Sequence, residues 1–179
     1  MKSKSVFHLI SRATHDKGVS CVMIGGFAVN YYRVTRQTAD VDFLITKQDF
    51  EKIIDILEKE GYQKSLTQEN FAQLKSTQLS LLDVDFMFVD QDTLDKILKE
   101  STKIELAKQK FYVPSLNHLI ALKLHSIKYN LQLRLTRDLP DIINLIRVNN
   151  VNFKNDDFKQ LCLKFGTNEI YTKILEALE

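Results

Sequence analysis

Apolar residues at Val6, Phe7, Ile10 and Ala13 recur at helical spacing, and Gly18 is placed to end the helix they predict. The run Val19-Ser20-Cys21-Val22-Met23-Ile24 reads as a buried strand, stopped by Gly25-Gly26. A short helix, Phe27 to about Tyr32, is expected next. Asp40 to Ile45 predicts a second strand with two acidic residues on one face. Thr46 is a helix N-cap candidate, followed by Phe50, Ile53, Ile54 and Leu57 on one face to Glu60, with Gly61 closing the helix. Tyr62 to Ser80 predicts a strand and then an irregular or hairpin segment. Leu81 to Val89 predicts a strand, Asp92 to Glu100 a helix, and Phe111 to Pro114 a short extended piece.

After Pro114 the texture becomes helical. Ser115 can cap a helix through about Tyr129, and residues 137–147 and 156–179 carry further helical patterns. The expected fold class is therefore α/β (α+β): a mixed-sheet core over residues 1–112 and a helical subdomain over 113–179. Both prolines, Pro114 and Pro140, are expected at or near helix starts, where a missing N–H costs least. Asp138 and Asp141 are then expected to cap and charge the start of their helix, with a part in shaping the site as the alternative.

The length of 179 residues fits one domain or one core with an appendage, and 44% hydrophobic residues suffice for a real core. A net charge of +2 does not mark a general polyanion binder. Between Lys96 and Arg137, however, nine basic residues stand against Glu100 and Glu105 alone. Such a stretch is either a phosphate-attracting patch or a set of solvated helix and loop faces. Cys21 and Cys162 form no disulfide framework, which favours a reducing compartment. Residues 1–18 have helical rather than signal-peptide character, and no apolar run reaches the roughly 18 residues of a membrane span. The expectation is a soluble cytoplasmic protein without a membrane partner.

The chemistry concentrates in Ile24-Gly25-Gly26-Phe27-Ala28-Val29 and Arg36-Gln37-Thr38-Ala39-Asp40-Val41-Asp42-Phe43. On a strand, residues i and i+2 share a face, so Asp40 and Asp42 bring two like charges together. A hard divalent cation with oxygen ligands, Mg²⁺ or Mn²⁺, relieves that repulsion; solvated acids at a strand end are the alternative. Gly25-Gly26 stands at a strand-to-helix junction, where free N–H groups and missing Cβ atoms let a phosphate approach; a tight turn is the alternative. Together these features describe a site for a metal-bound nucleoside triphosphate. A third carboxylate, which two-metal phosphoryl transfer requires, comes from Asp83 or Asp85 in the apolar run Leu81–Val89. Asp85 is preferred because uninterrupted hydrophobic residues follow it. Arg36, just before the acidic strand, can pair with a triphosphate or a site carboxylate, or lie in a surface turn. Lys123, on the apolar helix Leu119–Leu124, can reach a phosphate or snorkel to solvent. No Cys or His completes a zinc set with His118 and His125, which share a helix face and read as structural.

Gly25-Gly26-Phe27-Ala28-Val29, Arg36-x-Thr38-x-Asp40-x-Asp42 and Val84-Asp85-Phe86-Met87 resemble the polymerase-β-like nucleotidyltransferase superfamily. Within it the pattern is similar to AbiEii-type toxin nucleotidyltransferases and to lincosamide and aminoglycoside nucleotidyltransferases. Leu119–Leu124 and Arg137–Ile142 resemble the helical region that follows such cores. The resemblance implies that Gly25 and Gly26 hold the triphosphate, with Arg36, Thr38 and Lys123 as further candidates for binding the NTP. It also implies that Asp40 and Asp42 bind Mg²⁺ and that Asp85 completes the metal site and activates the acceptor. Many superfamily members have Gly-Ser where this chain has Gly25-Gly26, so no serine hydroxyl is available there. The expected reaction is transfer of a nucleoside monophosphate to RNA or protein, toxin-like and with a possible antitoxin. Transfer to an antibiotic-like small molecule, or a silent nucleotide- or partner-binding fold, are the alternatives.

Overall fold

The strand that carries Asp40 and Asp42 lies in the middle of a sheet whose composition explains its position. In the computed structural model, which describes residues 5–179, the strands are β1 (Val22–Ile24), β2 (Asp40–Thr46), β3 (Tyr62–Thr67), β4 (Phe71–Ser76), β5 (Asp83–Val89), β6 (Thr102–Leu106) and β7 (Gln109–Val113). They form one mixed sheet in the order β3-β4-β5-β2-β1-β7-β6. β2 pairs parallel with β5 and antiparallel with β1. The helices are α1 (Val6–Lys17), α2 (Gly25–Tyr31), α3 (Lys47–Lys59), α4 (Gln91–Lys99), α5 (Leu116–Tyr129), α6 (Leu131–Val148), α7 (Asp156–Phe165) and α8 (Asn168–Leu178).

Two units follow from how these elements pack. The first comprises the chain through Ala28 and Gln37–Ser115; the second comprises Val29–Arg36 and Leu116–Glu179. In the first, Val41, Phe43 and Ile45 on β2 and Val84 and Phe86 on β5 alternate inward and are fully buried. Phe50 of α3 lies 5.1 Å from both Phe86 and Phe88, ring centre to ring centre, which fixes this as the helix-covered face. The alternate residues Asp40, Asp42, Asp83 and Asp85 therefore occupy the opposite face. Thr46 caps α3 by accepting the Asp49 N–H at 3.1 Å, as its sequence position predicts. Gly18 ends α1 in the left-handed region, φ +61°. In the second unit, α5 packs on α6 and α7, and α8 on α6 and α7.

Several elements depart from the sequence expectation. β1 retains three residues of the predicted Val19–Ile24 strand. α2 begins at Gly25 itself rather than Phe27, so both glycines belong to its first turn. Of the two alternatives for Tyr62 to Ser80, the hairpin forms, as β3–β4, with a shift of register between Lys64 and Leu66. β6 is an unpredicted strand, joined to β7 by Ala107 and Lys108, both at positive φ (51° and 63°). Two successive left-handed residues match the twist of a tight hairpin, usually signalled by glycine or asparagine, neither of which stands here. The pattern over 156–179 breaks at Gly166 into α7 and α8, with Thr167 capping the latter.

The largest correction concerns α6. It starts at Leu131, not Arg137, and Pro140 lies inside it. Proline removes the N–H that would reach the Thr136 carbonyl, but Thr136 is exposed and water can serve it. Asp138 and Asp141 are consequently mid-helix rather than caps, and both are buried, paired with the buried Lys123 ammonium.

Candidate active site

Parallel pairing of β2 with β5 sets Asp42 beside Asp85 and Asp40 beside Asp83. Asp40, Asp42 and Asp85 each offer a carboxylate oxygen, and these oxygens lie within 4.8 Å of one another. Two ligand oxygens on one hard cation are separated by at most about 4 Å around Mg²⁺ and about 5 Å around a larger ion, so this set could hold a divalent cation, with a small closing of the carboxylates for Mg²⁺. All three residues are half-buried, where carboxylate repulsion is less screened than at an open surface. Asp83 is absent from the cluster. Its Oδ1 accepts the Ser76 N–H at 2.9 Å, which ties it to β4 and leaves Asp85 as the third carboxylate.

The glycine pair makes room for this arrangement. Gly25 has φ +63°, and a Cβ there would sit 1.9 Å from Asp42 Oδ2. Gly26 is buried, and a Cβ there would sit 2.6 Å from the Thr38 Cβ. Thr38 in turn donates its hydroxyl to Asp40 Oδ1 at 2.8 Å. Each glycine thus accommodates one carboxylate of β2, Gly25 directly and Gly26 through Thr38. This packing role goes beyond the phosphate approach that the sequence suggested.

Sequence reasoning missed the residues on β3 and β4. Gln73 Nε2 donates to Asp85 Oδ2 at 3.1 Å. A cavity of about 130 Å³ lies beside the cluster and is lined by Asp40, Ser65, Gln73, Lys75, Asp83 and Asp85, among others. Polar residues alternating along β4 were the available signal, but nothing in the sequence paired β4 with β5. Tyr62 anchors the entrance to β5 by donating its hydroxyl to the Leu82 carbonyl at 2.9 Å. Burial, with the nearby charge of Asp83, pushes the Tyr62 hydroxyl up to about 12, so it stays a donor.

Arg36 and Lys123 belong to the second unit. There the Lys123 ammonium is buried and donates to Asp138 Oδ1 at 2.8 Å and Asp141 Oδ2 at 2.7 Å. Arg36 Nη1 donates to the same Asp141 oxygen at 2.5 Å. Asn30 brackets the Arg36 backbone, its Oδ1 accepting the Arg36 N–H at 2.8 Å and its Nδ2 donating to the Arg36 carbonyl at 2.9 Å. Two cations and two carboxylates thus neutralise one another within this unit. The cysteines carry no visible chemistry: both are free and buried, and burial pushes each thiol up to about 12. Among the described residues no helix is long and apolar enough to cross a membrane.

Comparison with known proteins adds a family to this geometry. The family described as uncharacterised nucleotidyltransferase matches residues 7–178. No curated protein sequence matches the chain significantly. Among solved structures, ANT(2″)-Ia in complex with adenylyl-2″-tobramycin is 15% identical over 89% of this chain and 94% of that one, with a TM-score of 0.62. An antigenic nucleotidyltransferase-like protein from Paracoccidioides brasiliensis is 16% identical over 95% and 88%, TM-score 0.57. The lincomycin-bound lincosamide antibiotic adenylyltransferase LnuA is 16% identical over 78% and 93%, TM-score 0.54. At these identities the likeness lies in the fold.

Proposed function

The chain belongs to the family of uncharacterised nucleotidyltransferases, and from that premise we propose that it moves a nucleoside monophosphate from an NTP to a hydroxyl acceptor at Asp40, Asp42 and Asp85. The convergence of these three carboxylates, with oxygens within 4.8 Å of one another, carries the reading. Asp40 and Asp42 would hold the divalent cation, with Asp85 completing the site. Bound there, Mg²⁺ supplies Lewis acidity at the transferred phosphoryl group and neutralises triphosphate charge. Gly25 and Gly26, at the start of α2, offer the triphosphate backbone N–H groups. Asp85 takes the proton of the acceptor hydroxyl, whose oxygen attacks the α-phosphorus in line. The bond from the α-phosphorus to the bridging oxygen breaks, and pyrophosphate leaves.

The acceptor has two readings, each with its own support. A toxin-like RNA or protein acceptor, with an antitoxin, rests on the subgroup resemblance and on the basic excess between Lys96 and Arg137. Lys123 is committed to buried ion pairs, however, and Lys103 and Lys110 lie on β6 and β7 with Lys108 in their turn. β2 and β1 separate that hairpin from β5, so its basic residues stand roughly 14 Å or more from the strand bearing Asp85. A small-molecule hydroxyl suits the cavity of about 130 Å³ beside Asp85 better. It also accords with the antibiotics named with ANT(2″)-Ia and LnuA, which cover most of both chains. We therefore favour the small-molecule acceptor.

The test is incubation with each α-labelled NTP, Mg²⁺ and either a small-molecule extract or total RNA, at ~50 and ~200 mM salt. Label passing to small molecules with little salt dependence, and lost in Asp40→Asn, supports the reading. Label entering RNA, weakening steeply with salt and further reduced by charge reversal at Lys108 and Lys110, supports the macromolecular acceptor. Nucleotide binding with no transfer to anything would leave a silent fold.

A further inference from the structure

Gln73 occupies a position that the three-carboxylate site requires and that the reaction scheme leaves unexplained. Antiparallel pairing of β4 with β5 places it directly opposite Asp85, where cross-strand side chains meet on one face. Its Nε2 donates to Asp85 Oδ2 at 3.1 Å, and both residues are half-buried. Asp83, on the same face of β5, behaves differently: its Oδ1 accepts the Ser76 N–H. A carboxylate flanked by two others has every electrostatic reason to rotate away from them. A neutral amide can oppose that rotation without adding charge. An ammonium or guanidinium at this position would compete with the cation, and a fourth carboxylate would increase the repulsion.

We propose that Gln73 is the positioning residue for the third carboxylate. By engaging one oxygen of Asp85, it fixes the rotation of that group. The carboxylate is then held on the side of Asp40 and Asp42. The inference rests on the nucleotidyl-transfer reading with Asp85 as a site carboxylate. It adds that β4, which carries no acid of the cluster, sets the geometry of that acid.

The experiment compares Gln73→Met, unbranched and without a donor, with wild type and with Asp85→Asn. It measures kcat, KM for the NTP, melting temperature, and Mn²⁺ affinity by electron paramagnetic resonance with a non-hydrolysable NTP analogue. Loss of a hydrogen bond that orients a metal ligand is expected to lower kcat, Mn²⁺ affinity or both by about 10–100-fold, with KM and melting unchanged. If Gln73→Met does not fold, Gln73→Leu, of similar volume and likewise without the donor or an added charge, is expected to lose kcat in the same way. Wild-type kcat and Mn²⁺ affinity in a folded variant, while Asp85→Asn is inactive, overturns the inference alone. A fall in kcat matched by a rise in KM and earlier melting also overturns it, in favour of a purely structural glutamine. Full activity of Asp85→Asn instead overturns the underlying assignment of Asp85.

Discussion

Gly25→Ala separates backbone strain from damage to the site. At φ +63° an alanine is strained by about 1–2 kcal/mol wherever it stands in the chain. The added Cβ would also lie 1.9 Å from Asp42 Oδ2 and 2.4 Å from its Cγ. An ordinary contact begins near 3.4 Å, so the Asp42 oxygen must retreat by about 1.5 Å or the backbone must yield. Displacement of a reacting group by about 1 Å costs on the order of 100-fold in rate, so transfer should fall at least that far. Gly18 supplies the control. Its φ of +61° is nearly the same, but a Cβ there meets nothing within 4 Å. Gly18→Ala should therefore lose the same ~1–2 kcal/mol in urea denaturation while keeping full transfer activity. The two variants, assayed well below their melting transitions, should differ in activity far more than in stability. Equal activity in both would refute the claim that Gly25 exists to make room for Asp42.

The second unit and the thiols give two further expectations. Asp141→Ala leaves Arg36 and Lys123 over one remaining carboxylate, and thermal or urea denaturation should show a loss of about 3–5 kcal/mol. The double variant Lys123→Met with Asp138→Leu, which keeps the Arg36–Asp141 pair, should be near neutral; a loss as large as that of Asp141→Ala would contradict the charge-balance argument. Cys21 and Cys162, with thiols pushed up to about 12 by burial, should resist iodoacetamide at pH 8 until the protein is unfolded. Rapid labelling of the native protein would show that these sites open.

What the sequence disclosed depended on whether the cause was local. The cap at Thr46 and the apolar face of α3 are short-range patterns, and the structure forms both as expected. The shared face of Asp40 and Asp42 follows from strand periodicity alone. Apolar residues after Asp85 are the sequence's ground for preferring it to Asp83; in the structure Asp85 lies with Asp40 and Asp42, while Asp83 engages the Ser76 N–H. Nonlocal causes were hidden. Lys123 is neither snorkelling nor exposed, because Asp138 and Asp141, on the next helix, reach it. Those same contacts explain how two acids of α6 can be buried. β6 escaped notice because its turn, Ala107-Lys108, takes left-handed conformations without a glycine to announce them. Gln73 matters only through its pairing with β5, which no spacing in the sequence reveals.

The central claim is that Asp40, Asp42 and Asp85 form one centre for a divalent cation with a nucleotide. Mn²⁺ binding in the presence of a non-hydrolysable NTP analogue, followed by the resonance of the free ion, tests it without knowledge of the acceptor. Wild type should bind Mn²⁺ saturably, and Asp42→Asn should lose that binding while melting no earlier, since removing one charge from a crowded acidic set relieves repulsion. Equal Mn²⁺ binding by wild type and Asp42→Asn, in folded protein, would contradict the account.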